Sequence, residues 1–204
     1  MIAIIDYGAG NLFSLCSSLR YIGHDAVITG DKAVISNCDK MLLPGVGAFA
    51  GAARKLRDEG LSELIIKEAR GGKPLLGVCL GMQLLFEKSY EFGEHEGLGL
   101  LCGAVMPIEP RIPGEYKIPH IGWNALRLRP GGKPSLLKYV SDGDHVYFVH
   151  SYHAEQCPDV VIATAEYGAK LTAAVERGNI YGTQFHPEKS GEIGLNILRA
   201  FAEQ

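Results

Sequence analysis

Long basic runs and long apolar runs are both missing from this chain of 204 residues. The formal net charge is −3, and Lys and Arg never form a long run, which argues against a nucleic-acid partner. The apolar runs are far shorter than a bilayer requires, so we expect no membrane span. The first residues lack the positive and hydrophobic regions of a signal peptide. These absences favour a globular cytoplasmic protein.

Paired cysteines are missing as well. The cysteines number five, which is odd, their spacing is irregular, and no C-x-x-C occurs among them. A disulfide framework needs paired cysteines, so this pattern predicts free thiols and a reducing compartment. The cysteines are Cys16, Cys38, Cys79, Cys102 and Cys157.

Motifs for a metal or a cofactor are also lacking. No H-E-x-x-H occurs. The separations between His145 and His150 and between His150 and His153 are odd, which places neighbours on opposite faces of a strand. The glycine-rich turn at residues 8–10 has Phe13 where a dinucleotide-binding fingerprint has its third glycine. We therefore expect no metal and no cofactor, and we expect this turn to face a substrate or a partner.

Short apolar runs alternate with helical patterns through the first half of the chain, and prolines and glycines become dense after residue 97. The predicted strands are residues 2–5, 26–29, 40–43, 73–78, 123–129, 146–149, 160–165, 171–175 and 180–185. The predicted helices are 12–22, with Asn11 as its N-cap, then 49–57, 61–70, a segment after residue 79 that includes Phe86, and 191–201. We predict one domain, residues 1–204, of the α/β class. It would have a mostly parallel central sheet with helices on both faces, and antiparallel strands in the C-terminal half.

Cys79 lies between a buried apolar strand and a helix, with Gly77 and Gly81 two residues away on either side. Glycine lets the strand and the helix approach closely and tolerates the backbone of a sharp turn. This is the pattern of a nucleophile elbow with a thiol in place of the serine hydroxyl, and the first amides of the helix would favour the thiolate. Because a lone cysteine in an apolar run is more often a core residue, the prediction of catalysis requires a base.

His186 and Glu188 supply a base and a group that orients it. His186 ends an apolar run, and the following Pro187 favours an extended conformation for it. Residues two apart in an extended segment point the same way, so we expect the Glu188 carboxylate on one imidazole nitrogen and the Cys79 thiol on the other. The three side chains together predict a cysteine-dependent hydrolase.

A second glycine-rich turn, PGVG at residues 44–47, follows the third predicted strand. Its amides would lie at the carboxyl end of a parallel strand, next to the strand that carries Cys79, where they could act as oxyanion donors. From the residues alone, a plain tight turn explains this motif equally well.

Several motifs in one order resemble those of the triad-type, or class I, glutamine amidotransferases. The motifs are GVCLGMQ at 77–83, PGVG at 44–47 and FHPE at 185–188. DYGAGN at 6–11, PHIGWN at 119–124 and HPEKS at 186–190 narrow the resemblance to the glutaminase subunits of imidazole glycerol phosphate synthase, which serve histidine biosynthesis. The resemblance extends from residue 2 to the last helix and implies a flavodoxin-like fold.

The resemblance implies that L-glutamine is hydrolysed to glutamate and ammonia through a thioester. Cys79 would be the nucleophile, His186 the acid and base, and Glu188 the group that orients His186. The oxyanion donors would be the amide of Leu80 and one from the 45–47 turn, with Val46 and Gly47 as candidates. Glutamine would be bound by Gly47, Gln83, Ser151 and Tyr152, with Glu91 as a looser candidate.

The resemblance also implies a partner, a separate cyclase subunit built as a (β/α)₈ barrel, which receives the ammonia. An uncoupled glutaminase would waste glutamine, so we expect low activity alone and higher activity in the heterodimer. Asn11, Trp123, Asn124, Tyr147 and Lys189 match positions of the family near that interface.

Three alternatives remain at this stage. The chain could be the small subunit of anthranilate or aminodeoxychorismate synthase, although DYGAGN and PHIGWN argue against both. It could be a cysteine peptidase or another amide hydrolase that uses the same elbow. It could also be a non-catalytic binding module, which the presence of Cys79, His186 and Glu188 together disfavours.

Overall fold

The computed structural model describes residues 1–131 and 134–204. The helices are α1 (Leu12–Tyr21), α2 (Lys32–Asn37), α3 (Phe49–Asp58), α4 (Leu61–Arg70), α5 (Leu80–Leu84) and α6 (Gly191–Ala202), with short 3₁₀ helices at Glu109–Arg111 and Pro187–Lys189. The strands are β1 (Ile2–Ile5), β2 (Ala26–Thr29), β3 (Lys40–Leu43), β4 (Leu75–Val78), β5 (Phe86–Ser89), β6 (His95–Glu96), β7 (Leu101–Pro107), β8 (His120–Leu128), β9 (His145–His150), β10 (Tyr152–Glu155), β11 (Val161–Glu166), β12 (Lys170–Arg177) and β13 (Ile180–Thr183).

The larger sheet has a parallel half and an antiparallel half. Its strand order is β2-β1-β3-β4-β13-β12-β11-β8-β9. The strands from β2 to β13 pair in parallel, and those from β13 to β9 pair antiparallel. The smaller sheet has the order β10-β7-β5-β6. This arrangement confirms the predicted α/β class with antiparallel strands in the C-terminal half.

Helices cover both faces of the parallel half. Ala3 and Ile5 of β1 belong to one apolar core, together with buried residues of α3 and α4. Ile2 and Ile4 belong to the other core, with buried residues of α1 and α6. Strands that are buried on both faces need apolar residues at every position, which explains why β1 and β4 are continuous apolar runs.

Two helical predictions differ from the structure. Helix α2 was missed, although Asp31 accepts hydrogen bonds at its N-terminus from Ala33 N (2.8 Å) and Val34 N (3.1 Å). The predicted helix after Cys79 is shorter than expected, because α5 ends at Leu84 and Phe86 begins β5.

Pairing with a distant segment ends α5 early. The Leu84 carbonyl accepts from Leu98 N at 2.8 Å, and the Leu85 carbonyl accepts from Leu100 N at 2.9 Å. These partners lie more than ten residues along the chain, so helical periodicity alone could not reveal them. Separately, over the residues that the structure describes, none of the helices is long and apolar enough to cross a bilayer.

Candidate active site

The Cys79 elbow forms between β4 and α5. Cys79 has φ of 55°, a left-handed backbone conformation that is uncommon for a residue with a side chain. A Cβ at Gly77 would lie 2.6 Å from the Gly81 carbonyl oxygen, and a Cβ at Gly81 would overlap the Leu43 carbonyl oxygen. Both glycines are therefore required by close backbone approach, and the strained turn is the one that a nucleophile elbow needs.

Sheet pairing brings His186 to Cys79. Strands β4 and β13 are parallel neighbours with Val78 opposite Thr183, and Cys79 N donates to the Thr183 carbonyl at 2.7 Å. Cys79 and His186 thus leave adjacent strand ends and line the same cavity. The hydrogen-bond contacts of the Cys79 sulfur are long, with the Val149 carbonyl at 3.9 Å and Gln184 Nε2 at 3.8 Å.

Glu188 contacts His186 by a route that differs from the prediction. His186 Nδ1 lies 2.9 Å from Glu188 Oε1, as expected of an orienting carboxylate. However, only His186 is extended, and Pro187–Lys189 forms a 3₁₀ turn. The turn, rather than strand alternation, brings the carboxylate back to the imidazole, and it leaves Nε2 for the thiol.

The charge on His186 follows from these contacts. Burial lowers the pKa of His186, but the hydrogen bonds with Cys79 and then with Glu188 outweigh burial and raise that pKa to about 9. The imidazole is therefore protonated at neutral pH. A cation beside a cysteine sulfur stabilises the thiolate, which is the nucleophilic form.

Asn11 lies at the N-cap position of α1, as predicted, and its carbonyl accepts from Leu15 N at 3.2 Å. Its side chain, however, makes no capping hydrogen bond. Asn11 Nδ2 instead donates to Glu188 Oε1 at 3.2 Å. The Glu188 side chain is fully buried, so a second donor on its carboxylate compensates part of the cost of burying the charge.

A cavity of about 570 Å³ opens above the Cys79 sulfur. It brings together most of the residues predicted for catalysis and glutamine binding: Val46, Gly47, Cys79, Leu80, Gln83, Glu91, Ser151, Tyr152 and His186. Lys189 lines it as well. Asn11, Trp123, Asn124 and Tyr147 are not among its lining residues.

The PGVG turn packs directly against the elbow. A Cβ at Gly45 would lie 2.7 Å from the Gly81 amide nitrogen, so only glycine fits there. The buried Tyr7 hydroxyl donates to the Pro44 carbonyl at 2.9 Å, which holds the start of the turn. Gly47 has φ of 92° and lines the cavity beside Val46. This contact with the elbow favours the oxyanion-turn interpretation over that of an isolated tight turn.

Two of the predicted glutamine contacts already have partners within the chain. Gln83 Nε2 donates to the Tyr152 carbonyl (3.1 Å) and to Gln184 Oε1 (3.0 Å). Glu91 Oε2 accepts from the Phe49 amide at the start of α3, where a negative charge is favourable. Both side chains therefore shape the wall of the cavity in addition to facing it.

The residues expected at an interface lie on β8, on β9 and beside His186. Trp123 is 54% exposed and contacts the Tyr147 ring edge-on at 6.1 Å. Lys189 Nζ lies 5.9 Å from the centre of the Tyr147 ring. Asn124 differs, because its side chain is hydrogen-bonded to His120 and to the Glu166 carbonyl.

Sequence reasoning missed several residues of the cavity wall. They are Phe92, Ile118, Pro119, Val149 and His150. Phe92 is 88% exposed and has φ of 54°, two features that no sequence pattern reveals. His150 had one usable signal, since it directly precedes the predicted Ser151-Tyr152 segment.

Comparisons with known proteins agree with this site. The family described as glutamine amidotransferase class-I matches residues 3–204. The chain is 49% identical over 203 residues to imidazole glycerol phosphate synthase subunit HisH of Methanothermobacter thermautotrophicus, covering 100% of this chain and 98% of that protein. It is also 49% identical over 210 residues to the HisH subunit of Geobacillus sp., covering 99% and 96%.

Solved structures of low sequence identity share the fold. A crystal structure of a glutamine amidotransferase matches with a TM-score of 0.76 at 19% identity, covering 99% of this chain and 97% of that one. The PurLQS structure from Thermotoga maritima matches with a TM-score of 0.74 at 21% identity, over the same shares. The family expected from the sequence motifs is therefore confirmed, and the chain belongs to the class I glutamine amidotransferases, among the HisH subunits of imidazole glycerol phosphate synthase.

Proposed function

We propose that this chain hydrolyses L-glutamine to glutamate and ammonia and delivers the ammonia to a (β/α)₈-barrel cyclase subunit of imidazole glycerol phosphate synthase. The observation that carries the chemistry is the strained Cys79 at the floor of the cavity, which His186 also lines, with His186 Nδ1 2.9 Å from Glu188 Oε1. A nucleophile, a base and an orienting carboxylate in this order are what acyl transfer requires.

The Cys79 thiolate attacks the side-chain carbonyl carbon of glutamine, and the carbonyl oxygen becomes an oxyanion. The amide of Leu80, with an amide of Val46 or Gly47, is the proposed donor set for that oxyanion. His186 then gives its proton to the departing ammonia, and a thioester remains on Cys79. Water attacks the thioester with His186 as the base, which releases glutamate and restores the Cys79 thiolate and the protonated His186.

Glutamine would be held by the wall of the cavity opposite Cys79. Ser151 and Tyr152 present this wall, and Gln83 supports it through the Tyr152 carbonyl. We propose Gly47, Gln83, Ser151 and Tyr152 as the substrate-binding set, with Glu91 at its edge.

Exposed apolar side chains beside the cavity support a partner on this face. Ile121 is 56% exposed and Trp123 is 54% exposed. They are two residues apart on β8 and so point the same way. We propose that Trp123 with Asn11, Asn124, Tyr147 and Lys189 contacts the cyclase, and that docking raises the rate of glutamine hydrolysis.

Glutamate release, measured with and without a (β/α)₈ cyclase subunit and its nucleotide ligand, tests this function. The chain alone should be slow, and the complex should be faster by about tenfold or more, the size of ordinary coupling between sites. Cys79→Ala is the control, and it should fold normally and release no glutamate. A fast isolated chain that ignores the cyclase, or full activity of Cys79→Ala, would contradict the proposal.

A further inference from the structure

Two buried histidines lie side by side behind the cavity wall, and the mechanism above uses neither of them. His120 is fully buried, and His150 is 6% exposed. His120 Nδ1 lies 2.9 Å from His150 Nε2, and His120 Nε2 lies 2.8 Å from Asn124 Oδ1. Burying two imidazoles costs free energy unless their polar atoms are satisfied, so a contact of this kind requires an explanation.

The contact between the histidines continues to the glutamine pocket. His150 Nδ1 lies 2.9 Å from the Tyr152 carbonyl, which also accepts from Gln83 Nε2 at 3.1 Å. The Tyr152 carbonyl is therefore fixed by two donors from different elements. A chain of hydrogen bonds extends from His120 on β8, through His150, to the Tyr152 carbonyl at the cavity wall.

Aromatic packing holds the first ring of this chain. His120 stacks between Phe148, at 4.9 Å between ring centres, and Tyr167, at 4.0 Å, with interplanar angles of 19° and 20°. Because both faces of the His120 ring are packed, its two nitrogens can make polar contacts only in the plane of the ring. The packed His120 ring therefore fixes the position of His150. His150 in turn fixes the position of the Tyr152 carbonyl.

Counting hydrogens assigns a direction to the chain. A carbonyl only accepts, so His150 Nδ1 carries the hydrogen that reaches Tyr152, and neutral His150 then accepts at Nε2 from His120. Asn124 Nδ2 donates to the Glu166 carbonyl at 3.0 Å, so its Oδ1 faces His120 as a second acceptor. Neutral His120 has a single N–H, which the link to His150 uses, so its Nε2 meets Asn124 Oδ1 without a hydrogen between them and the hydrogen-bonded chain begins at His120.

We propose that His120 and His150 are positioning residues for glutamine hydrolysis, because they hold the Tyr152 carbonyl and the adjoining cavity wall in place for the substrate. This inference rests on the proposed glutaminase function. Among the described residues, neither histidine makes a hydrogen bond with His186 or Glu188. Replacing them should therefore weaken glutamine binding and leave the reactivity of the Cys79 thiol unchanged. A small displacement of a binding wall is enough to reduce productive substrate poses.

Steady-state glutamate release by the complex with the cyclase tests this role in paired variants. His150→Leu removes the donor to Tyr152 and should raise the KM for glutamine about tenfold, the effect of one lost buried hydrogen bond. His150→Asn can place an N–H at the Nδ1 position and should recover most of the affinity. His145→Leu, an exposed histidine at the other end of β9, is the matched control and should leave KM unchanged.

A second variant keeps the test decisive if His150→Leu does not fold. His120→Phe keeps a ring between Phe148 and Tyr167 and removes only the hydrogen bonds, and it should also raise KM. Alkylation of Cys79 by iodoacetamide should keep the parent rate in every folded variant, because the triad is untouched. A general loss of structure would change both the KM for glutamine and the rate of Cys79 alkylation.

The outcomes separate the inference from the function on which it rests. A parent KM in both His150→Leu and His120→Phe would overturn the positioning role, and so would a KM increase accompanied by slower alkylation. A parent chain that released no glutamate in the complex would instead overturn the proposed function. A raised KM with unchanged alkylation, and recovery in His150→Asn, supports the proposal.

Discussion

Glu188 illustrates how a single buried residue serves the site. Its Oε1 accepts from His186 Nδ1 at 2.9 Å and from Asn11 Nδ2 at 3.2 Å, and its side chain has no exposure to solvent. Two donors on one oxygen fix the carboxylate, and the carboxylate fixes the tautomer and the angle of the imidazole. The orientation of the base therefore depends on a residue of the first βα turn as well as on its own turn.

Replacing this carboxylate should separate orientation from binding. Glu188→Gln can present an N–H to His186 Nδ1 and so favour the wrong tautomer, and we expect turnover of glutamine to fall by about 10²-fold or more. The KM should change far less, since Glu188 does not line the cavity. Steady-state glutamate release measures both constants.

The matched control for this variant is Glu192→Gln, the same change at an exposed position of α6. It should leave turnover at the parent value. Parent turnover in Glu188→Gln would show that the carboxylate does not orient the base.

The sequence predicted the pair of His186 and Glu188 correctly, but for an incomplete reason. Alternation along an extended segment predicts that His186 and Glu188 point the same way, whereas in the structure a 3₁₀ turn brings the two side chains together. Asn11 was predicted as a helix cap, and its contact with Glu188 spans most of the chain. Local propensity cannot reveal a donor that arrives from so distant a position, so this part of the site required the fold.

At the scale of elements, the unit formed by β3, β4 and α5 depends on how closely its backbones approach. A Cβ at Gly81 would overlap the carbonyl oxygen of Leu43, the last residue of β3, and a Cβ at Gly77 would lie 2.6 Å from the Gly81 carbonyl oxygen. Backbone atoms cannot yield as a flexible side chain can. The elbow therefore requires glycine for reasons of space, in addition to the strain at Cys79.

Gly81→Ala should therefore lower the free energy of unfolding by about 3 kcal/mol or prevent folding, as overpacking against backbone does. Urea unfolding followed by circular dichroism measures the change.

Gly51→Ala, at an exposed position in the first turn of α3, is the matched control. A Cβ at Gly51 would meet no atom from outside its own helix within 4 Å among the described residues, so the extra methyl group enters open space. It should raise stability by about 0.5–1 kcal/mol, the usual gain for replacing a helical glycine. Equal effects of the two substitutions would contradict the argument from space.

Element prediction succeeded where local signals are strong and failed where distant pairing decides. Asp31 and its two hydrogen bonds mark the start of α2, yet six residues give too few turns for periodicity to show. Phe86 fits a helical pattern, but the segment after Leu84 pairs with residues 98–101 and becomes β5. The apolar character of these residues is compatible with either structure, and only the partner segment selects between them.

For the whole molecule, the active site lies where the parallel half of the sheet meets the antiparallel half. Strand β13 pairs in parallel with β4, which carries Cys79, and antiparallel with β12. Cys79 and His186 follow the carboxyl ends of β4 and β13, and the Ser151-Tyr152 part of the cavity wall lies between β9 of the antiparallel half and the start of β10 in the smaller sheet. The sequence indicated both halves, but the strand order arises from long-range pairing, which periodicity does not encode.

Buried histidines are concentrated on β8 and β9 of the antiparallel half and on β10 of the smaller sheet, which makes the whole fold sensitive to acid. Burial lowers the pKa of His150 to about 3, and it also lowers the pKa of His120 and of His153. Each of these histidines has a pKa in the folded protein below its unfolded value of about 6.5, so its contribution to stability is fully present above about pH 6.5. As the pH falls below about 6.5, the unfolded chain takes up protons that the folded chain does not bind, and this contribution is lost.

The free energy of unfolding should therefore decrease between pH 6.5 and pH 5, by up to about 1.4 kcal/mol per pH unit for each such histidine. This range lies above the ordinary pKa values of the carboxylates, so their titration contributes little. Urea unfolding at several pH values in this range measures the slope. His150→Leu removes one of the titrating groups and should show a shallower slope, although its stability at neutral pH is lower. Identical slopes for the parent and for His150→Leu would mean that His150 takes up its proton in the folded protein as readily as in the unfolded chain. That result would contradict the burial of His150 and its hydrogen bond to the Tyr152 carbonyl.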